Sequence, residues 1–295
     1  MSDYKLGRRC ATQDMSTGDM ARMVTLERRF RNNTRLLEID KQLAIEVRFI
    51  HIVDGAEGKI TLEQRQAQIE ELNQAYHQAN ISFFYKEADV TEVDNSNFYT
   101  MGHRSRNERL CKNAHQAIDP TKGLNFYTAA PDENILGWAT FPQDMAGDPD
   151  MDGVVMLEGT LPGGSETDFN LGRTAVHEVG HWLGLYHTFQ NGCLQPGDEV
   201  DDTPPHSGPN YGTPDPSEQP LNLCPDAPPG SLCPVHNYMN YTNDAWMTEF
   251  TLGQIERVWI QIAMFRHGLL AASAATRGVG NELTQESTVG MPVEW

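Results

Sequence analysis

The chain has 295 residues and carries the stretch HEVGHWLGLYH at positions 177–187. Its first two histidines, His177 and His181, are four residues apart, so on a helix both imidazoles lie on one side and can reach one metal ion. Glu178 comes directly after the first histidine, where its carboxylate can accept a proton from a water molecule beside that metal. The spacing therefore predicts a helix that carries two zinc ligands and a general base.

The end of the same stretch predicts a third ligand. Gly184 allows the helix to stop, because glycine enters the left-handed conformation without strain. The bend can bring His187 back to the metal and leaves the fourth position of a tetrahedral zinc ion open for water. A histidine-rich structural helix is the alternative, but the added glycine and third histidine match a longer motif of zinc hydrolases. We therefore expect a catalytic zinc site.

The composition narrows the classes of partner. With 22 basic and 41 acidic residues the formal net charge is −19, which disfavours nucleic acids and anionic membranes as partners. No apolar run has the length of a membrane span. The first nine residues lack the apolar centre of a secretory signal. Three of the five cysteines follow the zinc motif, however, and suggest disulfides and an oxidising compartment.

The periodicity of apolar residues predicts an α/β domain. The run IEVRFIHIV at residues 45–53 is typical of a buried strand, and a capping box at Thr61 predicts a helix ending near Asn80. A second capping box at Thr251 precedes the apolar stripe of a C-terminal helix that reaches Phe265. Further strands are predicted at residues 81–85, 124–128, 135–141 and 154–157, with a helix at 106–118. This order indicates a mixed sheet with helices packed on it.

Both ends of the chain are set apart by composition. Residues 1–38 are basic and polar, with little apolar periodicity, and we interpret them as a pro-segment; a disordered tail is the alternative. Residues 273–295 are small and polar and are expected to form a tail. The domain predicted between them covers residues 39–272.

Two acidic segments are candidates for calcium. The segment from Asp148 to Gly153 imitates the start of an EF-hand loop, but the required glutamate would fall on Gly159, so we expect a polar turn there. The segment DEVDDT at residues 198–203 offers clustered oxygen ligands that suit Ca²⁺. Spacing alone fits a solvated acidic turn equally well for this second segment.

Several blocks of the sequence, in this order, resemble the pappalysin family of metzincin metallopeptidases, which has ulilysin-like and fungal secreted members. The blocks are LGWATFP at 136–142, DGVV at 152–155, LPGG at 161–164, the zinc motif with the following Thr188-Phe189, DTP at 202–204 and NYMNY at 237–241. The resemblance covers residues 45–265. It implies an α/β, metzincin-type fold with a mixed, mostly parallel twisted sheet and with backing and active-site helices. An irregular C-terminal subdomain, beginning after about residue 187 and ending in a helix, would form the other side of a cleft.

The same resemblance assigns roles outside the zinc motif. It implies that Met239 forms the Met-turn, a hydrophobic base beneath the three histidines, and that Tyr241 can stabilise the oxyanion. It also implies a calcium site formed by Asp198 and Thr203, with the backbone carbonyl of Asp201 as a further ligand. Without the resemblance, Met239 and Tyr241 would be interpreted as core residues.

The cysteines depart in part from the family pattern. Relatives commonly carry four cysteines after the zinc motif, paired first with third and second with fourth. Cys193, Cys224 and Cys233 take the first three places, whereas Trp246 stands at the fourth. The resemblance therefore implies a disulfide between Cys193 and Cys233 and a free thiol at Cys224.

Residues 9–12, Arg-Cys-Ala-Thr, resemble the family's pro-segment motif Arg-Cys-Gly-Thr, with alanine in place of glycine. The resemblance implies that the Cys10 thiolate binds the open zinc position and displaces the water. An incidental thiol is the alternative, since the match is only four residues long. If the switch forms, the chain is a latent zymogen. Candidate activating cleavages lie near Arg28, Arg29, Arg31 and Arg35.

These features predict a secreted, zinc-dependent endopeptidase that acts on peptides or proteins. Some relatives prefer Arg or Lys after the scissile bond, through an acidic residue in the adjoining pocket. Asp244 is the candidate for that residue, with Glu249 as a weaker one. The alternatives are a metzincin of another family and a catalytically silent zinc- or calcium-binding interaction module. The intact Glu178 disfavours the silent module, since a structural zinc site needs no general base.

Overall fold

The computed structural model describes residues 10–13, 15–31, 42–131, 135–215, 217 and 221–274. The main strands are β1 (Leu43–Val53), β2 (Ile81–Phe84), β3 (Thr91–Asp94), β4 (Gly123–Ala129), β5 (Gly137–Ala139) and β6 (Val154–Leu157). They form a sheet of order β2-β1-β4-β6-β5, in which β3 also pairs with β1. All pairs are parallel except β5 with β6. The mixed, mostly parallel sheet of the metzincin-type fold is thus confirmed.

Strand β1 is buried on both of its faces. Leu43 and Phe49 belong to the larger core cluster, together with residues of the helices on that face. Ile50 and Ile52 belong to a second cluster on the other side. Burial on both faces explains the nearly continuous apolar run that predicted this strand.

The helices are α1 (Thr17–Arg31), α2 (Leu62–Tyr76), α3 (Ser96–Tyr99), α4 (Arg106–His115), α5 (Pro142–Met145), α6 (Arg173–Trp182) and α7 (Leu252–Phe265). Helices α2 and α7 begin with the two predicted capping boxes, at Thr61 and Thr251. Helix α6 carries the first part of the zinc motif and is buried over nearly its whole length. The Tyr76 hydroxyl of α2 donates a hydrogen bond of 2.9 Å to the Val176 carbonyl and joins the two helices.

The chain after α6 is largely irregular until α7. Its only regular pairing among the described residues is the short parallel pair β7 (Tyr211–Gly212) and β8 (Tyr241–Thr242). A fully buried ion pair of 2.7 Å between Arg266 and Asp152 ties the C-terminal part to the sheet domain. Asp152 also accepts a hydrogen bond from the Trp182 indole. The carboxylate of this EF-hand-like segment is therefore satisfied by Arg266 and Trp182 within the core.

The N-terminal arm, residues 10–31, contains a helix that the sequence did not predict. Helix α1 buries Met20, Met23 and Glu27, which lie on one side of it. A buried glutamate masks the apolar pattern, because its charge is satisfied by a residue far along the chain, Arg257. The predicted boundary at residue 38 and most of the tail at 273–295 lie outside the described residues.

The disulfide joins Cys193 to Cys224 and leaves Cys233 as a free, buried thiol. The predicted pairing of Cys193 with Cys233 is therefore wrong. The backbone gives the reason, because a bridge between His206 and Leu223 and a hydrogen bond from Cys224 N to Pro205 O bring the segment around 224 to that around 206. The neighbour of Cys193, Gly192, lies against Ser207 in the same place. Cys233 instead donates to Asn210 Oδ1 at 3.1 Å.

Candidate metal centre

The three histidines of the zinc motif converge on one buried point. The Nε2 atom of His181 lies 3.1 Å from the Nε2 atoms of both His177 and His187. Ligand atoms about 2.0 Å from a tetrahedral zinc ion would be about 3.3 Å apart, so the spacing fits zinc. All three side chains are buried. Nitrogen lone pairs at this distance would repel one another without a cation between them, which gives a second reason for the fit.

The other ring nitrogens are fixed by the backbone. The Nδ1 atom of His177 donates to the Tyr238 carbonyl at 2.7 Å, and that of His181 donates to the Leu185 carbonyl at 2.7 Å. A proton on Nδ1 leaves Nε2 unprotonated and turned towards the shared point, as metal ligation requires. Burial also lowers the pKa of His181, which keeps this imidazole neutral.

Two glycines make this arrangement possible. Gly184 has φ +99°, in the region that other residues avoid, and it ends the helix before His187 as the sequence suggested. A Cβ atom on Gly180 would lie only 2.5 Å from Met239 Sδ. The fully buried Met239 thus packs directly against the helix that carries His177 and His181, where the predicted Met-turn would be.

Glu178 is fully buried beside the histidines. Its Oε2 atom accepts a hydrogen bond of 2.9 Å from Thr12 Oγ1. Burial raises the pKa of the Glu178 carboxyl to about 8, although hydrogen bonds from Cys10 and Thr12 act in the opposite direction.

The Tyr241 hydroxyl lies on the histidine side of the cleft, 3.1 Å from His187 Nε2. Its ring contacts those of His177 and His187. The structure therefore brings the predicted oxyanion residue to the candidate metal position.

The N-terminal arm enters the cleft at the same point. Cys10 is buried, and its sulfur and the three histidines offer ligand atoms that all lie within 4.8 Å of one another. The backbone of the arm pairs in parallel with β5, through a bridge between Cys10 and Gly137 and a 3.0 Å hydrogen bond from Ala11 N to Gly137 O. Burial and the nearby Glu178 raise the pKa of the Cys10 thiol, so a metal cation would be needed to favour its thiolate.

Gly137 lets the edge strand lie directly over the general-base candidate. A Cβ atom there would be 3.0 Å from Glu178 Cγ and 2.9 Å from the Val155 carbonyl. Neither Gly137 nor Thr12 was singled out as a site residue from the sequence. Both belong to sequence motifs that resemble those of the family. Their position in the cleft depends on the pairing of the arm with β5, which the sequence does not indicate.

A small pocket opens beside the histidines. It is lined by His177, Glu178, Tyr241 and the buried Asp244, among others, and by Cys10 of the arm. Oδ2 of Asp244 accepts hydrogen bonds from the backbone of Leu171, at 2.9 Å, and of Arg173, at 3.3 Å. The predicted pocket residue is therefore adjacent to the site, whereas Glu249 lines a different cavity with Arg173.

The predicted calcium segment is only partly assembled around one point. Asp198 and Thr203 are both buried, and Thr203 Oγ1 donates to the Asp198 carboxylate at 2.7 and 2.8 Å. Burial raises the pKa of Asp198 to about 7. The side chain of Asp201 is exposed, and the role predicted for this residue is that of its backbone carbonyl.

A metzincin-type fold with three histidines and a glutamate in its cleft defines the class, which is a zinc metallopeptidase. Residues 106–263 match the model of the M43 peptidases, described as pregnancy-associated plasma protein-A. Extracellular metalloproteases of Pyricularia oryzae and Neurospora crassa are 38% identical over 226 residues and 37% identical over 217 residues. These alignments cover 75% of this chain and 75% of the first relative, and 71% and 72% for the second. The chain belongs to the M43 (pappalysin) peptidase family.

Solved structures show the same fold. Mature mirolysin of Tannerella forsythia, in complex with a cleaved peptide, aligns with a TM-score of 0.65 and 25% identity over 78% of this chain and 98% of its own. A mutant of promirolysin from the same organism aligns with a TM-score of 0.71 and 23% identity over 91% of this chain and 99% of its own. Across the described part of the chain, no helix is both long and apolar enough to cross a membrane.

Proposed function

We propose that this metallopeptidase is a secreted endopeptidase, made as a latent precursor, in which Glu178 is the general base. The observation that carries the proposal is the convergence of Cys10 with His177, His181 and His187, whose ligand atoms lie within 4.8 Å of one another. One position at this centre is thereby taken by the arm. The relatives are extracellular metalloproteases, which supports secretion of this chain.

His177, His181 and His187 would hold the zinc ion through their Nε2 atoms. Zinc bound there supplies a Lewis acid that lowers the pKa of a water molecule towards neutrality. Glu178 would accept a proton from the attacking water and later return it to the leaving amine. Its raised pKa of about 8 in the blocked cleft favours the protonated form, so departure of the arm and entry of water would restore the base.

Tyr241 would act on the oxyanion that develops at the scissile carbonyl. Its hydroxyl is close to His187 and is held by ring contacts on two histidines, so it needs little reorganisation to donate a hydrogen bond. Asp244 would line the pocket beyond the scissile bond. Its buried carboxylate is held by backbone amides and gives the pocket a negative wall, which supports a preference for Arg or Lys there.

Latency rests on two contacts of the arm. Cys10 would take the open ligand position, and Thr12 donates a hydrogen bond to Glu178. The promirolysin structure aligns with 91% of this chain and mature mirolysin with 78%, which supports a pro-segment at one end. Calcium would bind at Asp198, Thr203 and the carbonyl of Asp201, where it would brace the irregular wall of the cleft.

The decisive test replaces Glu178 with alanine. Turnover of a quenched peptide by the activated chain should fall by about 10²–10⁴-fold, with zinc content unchanged. Glu70→Ala, which removes an exposed glutamate from α2, is the matched control and should retain full activity. Near-normal turnover of the Glu178→Ala variant would contradict the general-base role.

A further inference from the structure

The arm has a second anchor outside the zinc cleft. Met20 is fully buried and packs with Phe141 and Tyr186. The Asn191 amide donates to its sulfur at 3.0 Å. Because Phe141 in turn contacts the His181 ring, this apolar contact lies at the border of the metal site.

Two turns further along α1, Glu27 makes a buried polar contact. Arg257 Nη1 lies 2.9 Å from Glu27 Oε1, and both side chains are almost completely buried. Gln261 donates to the same oxygen at 2.6 Å. We name the surface formed by Phe141, Tyr186, Arg257 and Gln261 the α1 seat.

The seat is built from the peptidase domain alone. Arg257 is held by a 2.9 Å hydrogen bond to the Gly184 carbonyl and stacks over the Tyr186 ring at 4.4 Å. Glu199, which belongs to the same domain, also pairs with it at 3.0 Å. The cationic group and the aromatic wall would therefore persist without the arm, ready to receive an apolar side chain and, seven residues later, a carboxylate.

The order of contacts along the arm matters for activation. Cys10, Thr12, Met20 and Glu27 all precede the candidate cleavage site at Arg28. A cut at or after Arg28 therefore breaks the covalent link and none of these contacts.

We propose that the α1 seat is a peptide-binding site distinct from the zinc cleft, and that it retains the cut arm as a non-covalent helical ligand. Its ligand class is a short helix with an unbranched apolar side chain followed seven residues later by a carboxylate. This inference rests on the proposed latency and extends it. Cleavage alone does not produce the active enzyme; the cut arm must also dissociate or be cut again within α1.

The test uses the full chain with Glu178→Gln, which prevents self-cleavage and keeps an oxygen that can accept from Thr12. A recognition sequence for a site-specific protease after Arg35 allows a single cut. Gel filtration and native mass spectrometry then follow the N-terminal fragment. We expect it to co-elute with the body of the protein, also when Cys10→Ser removes the thiol. Met20→Ala and Glu27→Ala should each speed its dissociation by about tenfold or more.

Leu26→Ala is the matched control, because Leu26 is exposed on the same helix; it should change the dissociation rate by less than about twofold. Immediate loss of the fragment from the otherwise unchanged chain would overturn the proposal, and so would equal rates for Glu27→Ala and Leu26→Ala. Latency is scored separately, as the activity of the uncut chain with Glu178 intact. A retained fragment with an active uncut chain would contradict latency alone, and a lost fragment with an inactive uncut chain would contradict the seat alone.

Discussion

The hydroxyl of Thr12 donates a hydrogen bond of 2.9 Å to Oε2 of Glu178 and accepts one of 2.9 Å from the backbone amide of Ala139. One side chain of the arm thus connects the edge strand of the sheet to the carboxylate beside the histidines. Since a hydroxyl has a single proton, accepting from Ala139 leaves that proton directed at Glu178.

Thr12→Val should weaken the latency of the uncut chain. The valine has nearly the same shape but leaves a buried amide and a buried carboxyl oxygen without a partner, at a cost of about 1–3 kcal/mol for each. We expect the residual peptidase activity of the intact chain to rise by roughly tenfold or more. Thr12→Ser keeps the hydroxyl and is the control; equal activity of the two uncut variants would contradict a role for this bond.

Cys10→Ser should abolish most of the latency. The variant loses the one cysteine that the described structure brings among the histidine ligand atoms, so X-ray absorption of the zinc-loaded chain should lose a sulfur scatterer at about 2.3 Å. Activity should appear without cleavage at residues 28–35. Cys233→Ser removes another buried thiol and should leave both signals unchanged. A sulfur signal that survives Cys10→Ser would disprove the ligation.

Tyr241→Phe should lower kcat by about 10–100-fold in the activated enzyme and leave KM nearly unchanged, because the hydroxyl is expected to act on the oxyanion only. The matched control is Tyr211→Phe, which removes a hydroxyl from a half-exposed neighbour whose ring lies 6.0 Å from that of Tyr241. Steady-state kinetics on one peptide decide the question. A change confined to KM would assign Tyr241 to substrate binding instead.

Asp152→Ala should destabilise the fold by about 3–5 kcal/mol, because it leaves the fully buried Arg266 without its carboxylate. Asp148→Ala breaks an ion pair with Arg109 that is about half exposed, and it should cost less than about 1 kcal/mol. Urea unfolding followed by circular dichroism measures both. Similar decreases in the free energy of unfolding for the two variants would mean that burial does not determine how much each ion pair contributes to stability.

Calcium should stabilise the protein more at pH 8 than at pH 5. The pKa of Asp198 is raised to about 7 by burial, so the folded chain holds this proton more tightly than the unfolded chain. Without calcium, this group's contribution to stability is therefore lost as the pH rises from about 4 to about 7, by up to about 4 kcal/mol. Calcium would compensate the buried negative charge that forms as the pH rises through about 7. Thermal unfolding with and without calcium measures the difference, and Asp198→Asn should abolish it.

The sequence predicted best what depends on local spacing. The separation of His177 and His181 by four residues, the glycine before His187 and the capping boxes at Thr61 and Thr251 act within one or two turns of chain, and the structure shows each at its place. The fold class followed from the order of strands and helices together with the family resemblance.

The failures concern contacts between distant segments. The choice between Cys224 and Cys233 as partner of Cys193 depends on a backbone bridge at His206, which no local pattern indicates. Helix α1 was missed because its buried face includes Glu27, whose charge is matched by Arg257 more than two hundred residues away. The contact between Thr12 and Glu178 could not be predicted, because it depends on the pairing of the arm with β5.

The absence of a side chain at Gly137 limits which features of a bound polypeptide the edge strand can distinguish. Where β5 passes over Glu178, the wall consists of peptide groups alone, and a Cβ atom would collide with Met156 and Val155. An extended chain lying there meets the same hydrogen-bonding partners whatever its sequence. At this point the wall can select only for an extended backbone. Selection among substrate side chains then depends on the pockets on either side.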